Sequence, residues 1–216
     1  MVTIFSCCFS NPEIWEDTCN RIFHTLPGEN RSRVLKMTRK EDQMRHLLGR
    51  MLLKQALDYF GCKTTSLSDI CVDDYGKPYL PGGLQFSISH SGEYVFCAAS
   101  PDEAIGIDIE QVKAIDFEFV QNTMHEAEWK TIYKSDNPLR TFYLQWCMKE
   151  SALKADGRGL YIHLEDIQLK KDFVMIQSRQ WYLSFLSFDP DYCGCVATSR
   201  LHKETKLIVV DTNDFI

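Results

Sequence analysis

In the run IGIDIE, residues 105 to 110, isoleucines alternate with Gly106, Asp108 and Glu110. As a strand, that alternation puts the isoleucines on one face and both carboxylates on the other. Like charges held that close raise each other's pKa unless water or a cation relieves them. A D-x-E on an antiparallel strand is ordinarily wet surface, so the pair gains interest only with a third partner. A third carboxylate, Glu150, stands at the edge of an apolar arc made by Leu139, Phe142, Trp146 and Leu153 at helical spacing, with Lys154 one turn on. The plain alternative is an exposed i, i+4 ion pair, a weak stabiliser of any helix.

The basic residues are concentrated. Eight Lys or Arg fall between Arg31 and Lys54, against only Glu41 and Asp42, in a chain whose net charge is −6. A net negative protein does not attract DNA or RNA in bulk, but one basic segment suits a confined anionic ligand. The alternative, a solvated helix face, stands equally open at this point.

These residues need elements to hold them. From Lys40 to Phe60, Met44, Leu47, Leu48, Met51, Leu52 and Leu57 keep helical spacing and Gly61 supplies a stop. YGKPYLPGGL, residues 75 to 84, is turn chemistry. LQFSISHSGEYVFCAAS alternates on both sides of Ser91-Gly92 and predicts a hairpin, with IGIDIE as the following strand. The second half repeats this sense: helices from about Phe117 to Ala155, a second hairpin about Asp189-Pro190-Asp191, and KLIVVD as a closing strand. The expected fold is α+β, in two similar halves over residues 1–102 and 103–216, each a small antiparallel sheet packed with helices, with a ligand site where they meet. MVTIFSCCFS predicts a first strand and has none of the features of a secretory signal. Nine cysteines, an odd number without a CxxC pair, and the absence of a membrane-length apolar run lead to the expectation of a cytoplasmic protein.

The two stretches taken together carry a family likeness. GIDIE, followed by W-x-x-K-E-S-x-x-K-x-x-G-x-G-L from Trp146 to Leu160, resembles the 4′-phosphopantetheinyl transferases of the surfactin-synthetase-activating type. RKED-x-x-R-x-LLG (39–49), YGKP (75–78) and F-x-ISHSG (86–92) extend the resemblance in consistent order. It implies a pseudo-twofold fold and transfer of the phosphopantetheine arm of coenzyme A to a serine of an apo carrier protein, with release of 3′,5′-ADP. The carriers implied are those of peptide, polyketide or fatty acid synthesis, and a monomer is expected.

The resemblance also implies roles. Asp108, Glu110 and Glu150 would hold Mg²⁺, or Mn²⁺, both of which take oxygen ligands. Glu150 would accept the serine proton, and Lys154 would stabilise the departing phosphate. Ser89 and His90 would touch phosphate, and Lys77 and Pro78 would flank the adenine. Arg33 and Arg45 would hold the 3′-phosphate, with His46 beside them. Two departures from the family pattern stand at that end: Asn30 where a lysine is familiar and His46 where a threonine is. Arg31 could supply the missing charge. For carrier docking, Phe117, Phe119, Val120 and Met124 are candidates, against the alternative of an ordinary amphipathic segment packed on its own half. A non-catalytic module that binds coenzyme A or a carrier would need the basic segment but not the carboxylates. A Mg²⁺-dependent nucleotide hydrolase would use the carboxylates but leave Lys154 and GRGL unexplained.

Overall fold

The computed structural model describes residues 1–9, 19–24, 26, 28–202 and 204–211. The first half contains β1 (Thr3–Cys8), α1 (Gly28–Leu35), α2 (Lys40–Tyr59), the short strands β2 (Cys71–Val72) and β3 (Pro78–Tyr79), and the hairpin β4 (Gln85–Ser91) and β5 (Tyr94–Ser100). The second contains β6 (Ile105–Gln111), α3 (Glu126–Lys134), α4 (Pro138–Asp156), β7 (Ile167–Leu169), β8 (Phe173–Ile176), β9 (Arg179–Phe185), β10 (Tyr192–Thr198) and β11 (Lys206–Val209). Short 3-10 turns at Phe117–Thr123 and Gly159–Tyr161 flank the helices of this half.

The termini of the helices follow from local chemistry. Gly61 (φ 71°) ends α2 by taking a left-handed conformation, which lets Cys62 N–H reach the Leu57 carbonyl and Gly61 N–H the Asp58 carbonyl. At the start of α4, the Asn137 side chain accepts from Arg140 N–H, with Pro138 inside the first turn.

The two halves share one topology. In one sheet the opening strand β1 pairs with β5, which pairs with β4; in the other, β6 pairs with β10, which pairs with β9. Both triplets are antiparallel, and each half inserts its helices between its first strand and its hairpin. The faint duplication in the sequence is therefore a repeated fold. The closing strand departs from it: β11 follows the second half in sequence but pairs parallel with β1, on the edge of the first sheet.

Each half has its own core. Phe5, Leu48, Leu52, Phe86, Val95 and Cys97 belong to the one under α2, and Cys147, Ala152, Leu153, Trp181 and Cys195 to the one under α4. A third cluster joins the halves: Val2, Ile4, Phe96 and Ala98 from the first against Ile105, Ile107, Ile109 and Val196 from the second. The isoleucine face of IGIDIE thus builds the seam of the molecule. All nine cysteines are free and six are buried, so they pack as small hydrophobes. No helix among the described residues is long and apolar enough to cross a membrane.

Candidate active site

The other face of β6 is not wet surface. It packs under α4, and Gly106 is what allows the approach: a Cβ there would lie 2.0 Å from the Ser151 carbonyl oxygen and 2.4 Å from Ala155 N. Asp108, two residues on, is only 4% exposed. At the edge of the strand, β4 of the first half supplies a ladder of hydroxyls. Ile107, Ile109 and Gln111 donate their backbone N–H groups to Ser87, Ser89 and Ser91 Oγ at 3.1, 3.3 and 3.0 Å. Backbone donors at a buried strand edge must find acceptors, and alternate serines on the facing strand provide them. The pattern S-x-S-x-S opposite Phe86 and Ile88 was the available signal, and the sequence reading did not use it.

The ladder also orients the acids. Ser89 Oγ donates to Asp108 Oδ1 (3.0 Å) and Ser91 Oγ to Glu110 Oε2 (2.8 Å). From α4, Lys154 Nζ donates to the same Asp108 Oδ1 (2.6 Å) and to Ser89 Oγ (3.1 Å). The one proton of Ser89 is therefore committed to Asp108, and Ser89 ties the first half to Asp108 and Lys154 of the second.

Asp108 Oδ2 is buried with no hydrogen-bond partner among the described residues, an arrangement that is costly unless something else binds it. Burial pushes the pKa of Glu110 above the ordinary carboxyl value, against the Ser91 hydrogen bond, with Asp108 adding to the rise. Burial likewise raises Glu150; Lys154 opposes this and Asp108 reinforces it. As the side chains stand, no three His, Cys, Asp or Glu among the described residues converge enough to grip a metal ion. Lys154 donates to one oxygen of Asp108, and Ser91 to one of Glu110. The donor set still fits a hard divalent cation: an orphaned carboxylate oxygen beside two carboxyls that strain against ionising.

Glu150 and Lys154 open onto a cleft of about 340 Å³ between the halves, whose other wall is Tyr75, Gly76, Lys77, Pro78, Ser87 and Ile88. Lys77 crosses to the end of α4, where Nζ donates to the Ala155 carbonyl at 3.0 Å. Burial lowers its pKa, against the attraction of Asp73 and Asp156. Gly157 (φ 93°) ends α4 and leaves room for this lysine, since a Cβ there would meet Lys77 Cδ at 2.9 Å.

Comparison with known proteins finds a match in each half of the chain. Residues 104–203 match the 4′-phosphopantetheinyl transferase superfamily, and residues 13–102 match the N-terminal region of a 4′-phosphopantetheinyl transferase. A 4′-phosphopantetheinyl transferase of Bacillus subtilis is 33% identical over 160 residues, 71% of this chain and 70% of its own. One from Aneurinibacillus migulanus is 30% identical over 162 residues, 74% and 68% of the two chains. The Sfp transferase of Bacillus subtilis strain 168 is 32% identical over 154 residues, 69% and 68%. The chain belongs to the Sfp-type 4′-phosphopantetheinyl transferases.

The other predicted residues of this transferase come from α1, α2 and the β4–β5 hairpin. Arg45 braces the β4–β5 hairpin: Nε and Nη2 donate to the Gly92 carbonyl at 3.2 and 3.0 Å, and Nη1 to Asp42 at 3.0 Å. His90 stands near the end of β4. Lost hydration first, then the charge of Arg45, keeps its pKa below that of a free imidazole, with Lys154 adding to the effect. The positive charge at the hairpin tip is thus that of Arg45 from α2, not of His90. His46 is half-buried on α2 beside Arg45. Arg33 lies on α1, and its side chain and that of Asn30 fall outside the described residues.

Of the four apolar residues singled out for docking, Met124 is buried with Ile132 and Phe142, and Phe117 and Val120 pack on the same cluster. Phe119 alone is open, at 88% exposure, so ordinary packing accounts for most of that segment. The sequence reading also gave no role to Lys149. It is wholly buried, with Nζ donating to Glu128 Oε2 at 2.6 Å and to the Thr123 carbonyl at 3.0 Å. This fixes α4 to the segment before it, one residue from Glu150.

Proposed function

We propose that this transferase moves the 4′-phosphopantetheine arm of coenzyme A to a serine of an apo carrier protein, releasing 3′,5′-ADP with the help of Mg²⁺. The observation that carries the reading is the meeting of Glu150 and Lys154 with Lys77 and Pro78 in one cleft, beside the orphaned Asp108 oxygen. Asp108, Glu110 and Glu150 would hold Mg²⁺, with Mn²⁺ an acceptable substitute. When bound, the ion neutralises charge on the pyrophosphate and on the phosphate that leaves.

The remaining work falls to side chains. The serine oxygen attacks the phosphorus that carries the pantetheine, and the bond from that phosphorus to the bridging oxygen of the 5′-phosphate breaks. Glu150 takes the serine proton; its burial makes its carboxylate a stronger base than one in water. Lys154 stays near Asp108 while its ammonium faces the departing phosphate, where its charge is useful as that oxygen gains charge. Arg45 and Arg33 form the positive approach for the phosphates, including the 3′-phosphate, and His90 offers them a neutral ring donor. Lys77 and Pro78 flank the base. Carrier domains of peptide, polyketide or fatty acid synthases are the partners, and nine free thiols suit the cytoplasm.

The test is to incubate the protein with coenzyme A, Mg²⁺ and an apo carrier and to weigh the carrier by mass spectrometry. A carrier heavier by one phosphopantetheine supports the reading. An unmodified carrier with hydrolysed coenzyme A points to a hydrolase, and neither change to a binding module.

A further inference from the structure

The outer end of the cleft carries a feature that the transfer chemistry does not use. Tyr161 is 73% exposed and Tyr75 is 50% exposed. Tyr75 lines the cleft; Tyr161 comes from the other half, two residues beyond the lining Gly159, and meets it edge to face, ring centroids 5.3 Å apart and planes at 75°. Single exposed aromatics are common. Two that touch each other where the halves meet, beside a cleft that one of them lines, while both stay open to solvent, are a different matter, because each leaves ring surface free for a further stacked or edge-on contact.

The chain makes a tight detour to bring Tyr161 there. Gly157 and Gly159 both adopt positive φ, 93° and 53°, around Arg158. Arg158 is clamped to Asp156 by Nε at 2.6 Å and Nη2 at 3.1 Å, and Nη1 donates to Gln177 at 3.0 Å. The turn Gly159–Tyr161 follows, closed by Ile162 N–H on the Gly159 carbonyl. The glycines line the cleft and the arginine is held outside it, so the tyrosine is delivered to the rim on a braced turn. On the other side, Tyr75 stands on a loop fixed by Asp73, whose Oδ1 accepts from Tyr75 and Lys77 N–H at 2.9 and 2.8 Å. Both rings are thus mounted on firm supports but are themselves little enclosed.

We propose that Tyr75 and Tyr161 are an aromatic gate on this cleft, and that Tyr161 is a specificity-determining residue that stacks on or edges against the purine of the nucleotide end of the co-substrate. This rests on the reading of the cleft given above. The rings part to admit the base and Tyr161 then covers it, trading a ring–ring contact for a ring–base contact.

The test is calorimetric binding of adenosine 3′,5′-bisphosphate, cytidine 3′,5′-bisphosphate and phosphopantetheine to the unmodified protein, Tyr161→Ala and Tyr161→Phe. Tyr161→Ala weakens the adenosine bisphosphate at least about fivefold, as expected for loss of one aromatic partner of a base. It also narrows the preference for the adenosine over the cytidine compound and leaves phosphopantetheine unchanged. Tyr161→Phe restores both, because the ring and not the hydroxyl makes the contact. If the unmodified protein binds the adenosine compound and Tyr161→Ala binds it equally well with equal base preference, the gate is overturned. If phosphopantetheine weakens in step, Tyr161 supports the cleft as a whole and the gate is again overturned. An unmodified protein that binds neither coenzyme A nor the bisphosphate overturns the reading of the cleft itself, a failure distinguishable from the first.

Discussion

Lys149 and Lys154 sit five residues apart on α4, and each touches a carboxylate at 2.6 Å. Distance alone would call them equivalent. Lys149 is 0% exposed and faces Glu128 and the Thr123 carbonyl, both part of the protein's own frame. Lys154 is 32% exposed, shares Asp108 Oδ1 with Ser89, and opens onto the cleft beside an oxygen with no partner among the described residues. A buried pair complete in itself fixes structure. A pair with an unsatisfied atom on a cleft has capacity left for a ligand. Burial lowers the pKa of Lys149, which Glu128 opposes by holding the ammonium charged, so that pair depends on both partners.

The comparison breaks most visibly at Asp108. Asp108→Ala is expected to bring phosphopantetheine transfer below detection, since it removes the orphaned oxygen and the partner of Lys154 together. The fold should survive. The isoleucine face that builds the seam is untouched, and Lys154 is exposed enough to turn to water. Carrier mass spectrometry with a urea unfolding curve on the same preparation checks both halves of the claim. Near-normal turnover at ordinary Mg²⁺ would show that Asp108 is no metal ligand.

Lys149→Met should do the opposite. It keeps the apolar length of the side chain but leaves Glu128 and the Thr123 carbonyl without their donor. Removing one partner of a buried pair costs about 3–5 kcal/mol, read as a large drop in urea midpoint at unchanged slope. Lys154→Met, by contrast, should lower the midpoint less than Lys149→Met does, because Lys154 is 32% exposed and Ser89 still donates to the buried Asp108, while transfer falls. If both variants destabilise equally, the distinction between the two lysines is lost.

How far this was visible beforehand depends on the kind of interaction. The helices, the hairpins and the repeat could be read because periodicity and glycine stops are local, and GIDIE with W-x-x-K-E-S-x-x-K carried the acids and Lys154. The serine ladder was harder: Ser87, Ser89 and Ser91 find their partners on a strand some twenty residues away, as the bonds from Ile107, Ile109 and Gln111 show. Lys149 was illegible for a similar reason, because nothing in its neighbourhood in sequence names Glu128. The crossing of β11 to β1 is a non-local pairing too, and KLIVVD announces a strand without announcing its sheet.

Glu150→Gln sharpens the comparison by separating charge from shape. It keeps the volume and spares the packing of Trp146 and Phe142 nearby. It removes the proton acceptor and a negative charge near Lys154. An interaction needed mainly in the transition state lowers kcat more than it changes binding. Turnover is expected to fall at least about 10²-fold, with coenzyme A still bound in calorimetry. Near wild-type transfer would reduce Glu150 to the helix partner of Lys154.

The smallest effect concerns Arg45, where structure and family likeness pull apart. The likeness assigns it the 3′-phosphate; the structure shows all three guanidinium nitrogens engaged, two on the Gly92 carbonyl and one on Asp42. Those bonds do not cancel its charge, since a carbonyl is neutral and Asp42 is half open to water at 46% exposure, and its field reaches His90. Arg45 can therefore brace the hairpin and attract phosphate together. Arg45→Ala should raise KM for coenzyme A by about 10-fold, the lower range for losing a charged hydrogen bond, and raise it less for 3′-dephospho-coenzyme A. Arg45→Lys should keep much of the charge but lose the two-pronged hold on Gly92, so a phosphate role predicts partial rescue and a bracing role predicts none. Equal losses with both donors, unrescued by lysine, would leave Arg45 as a hairpin brace alone and move the 3′-phosphate contact to another part of the basic segment.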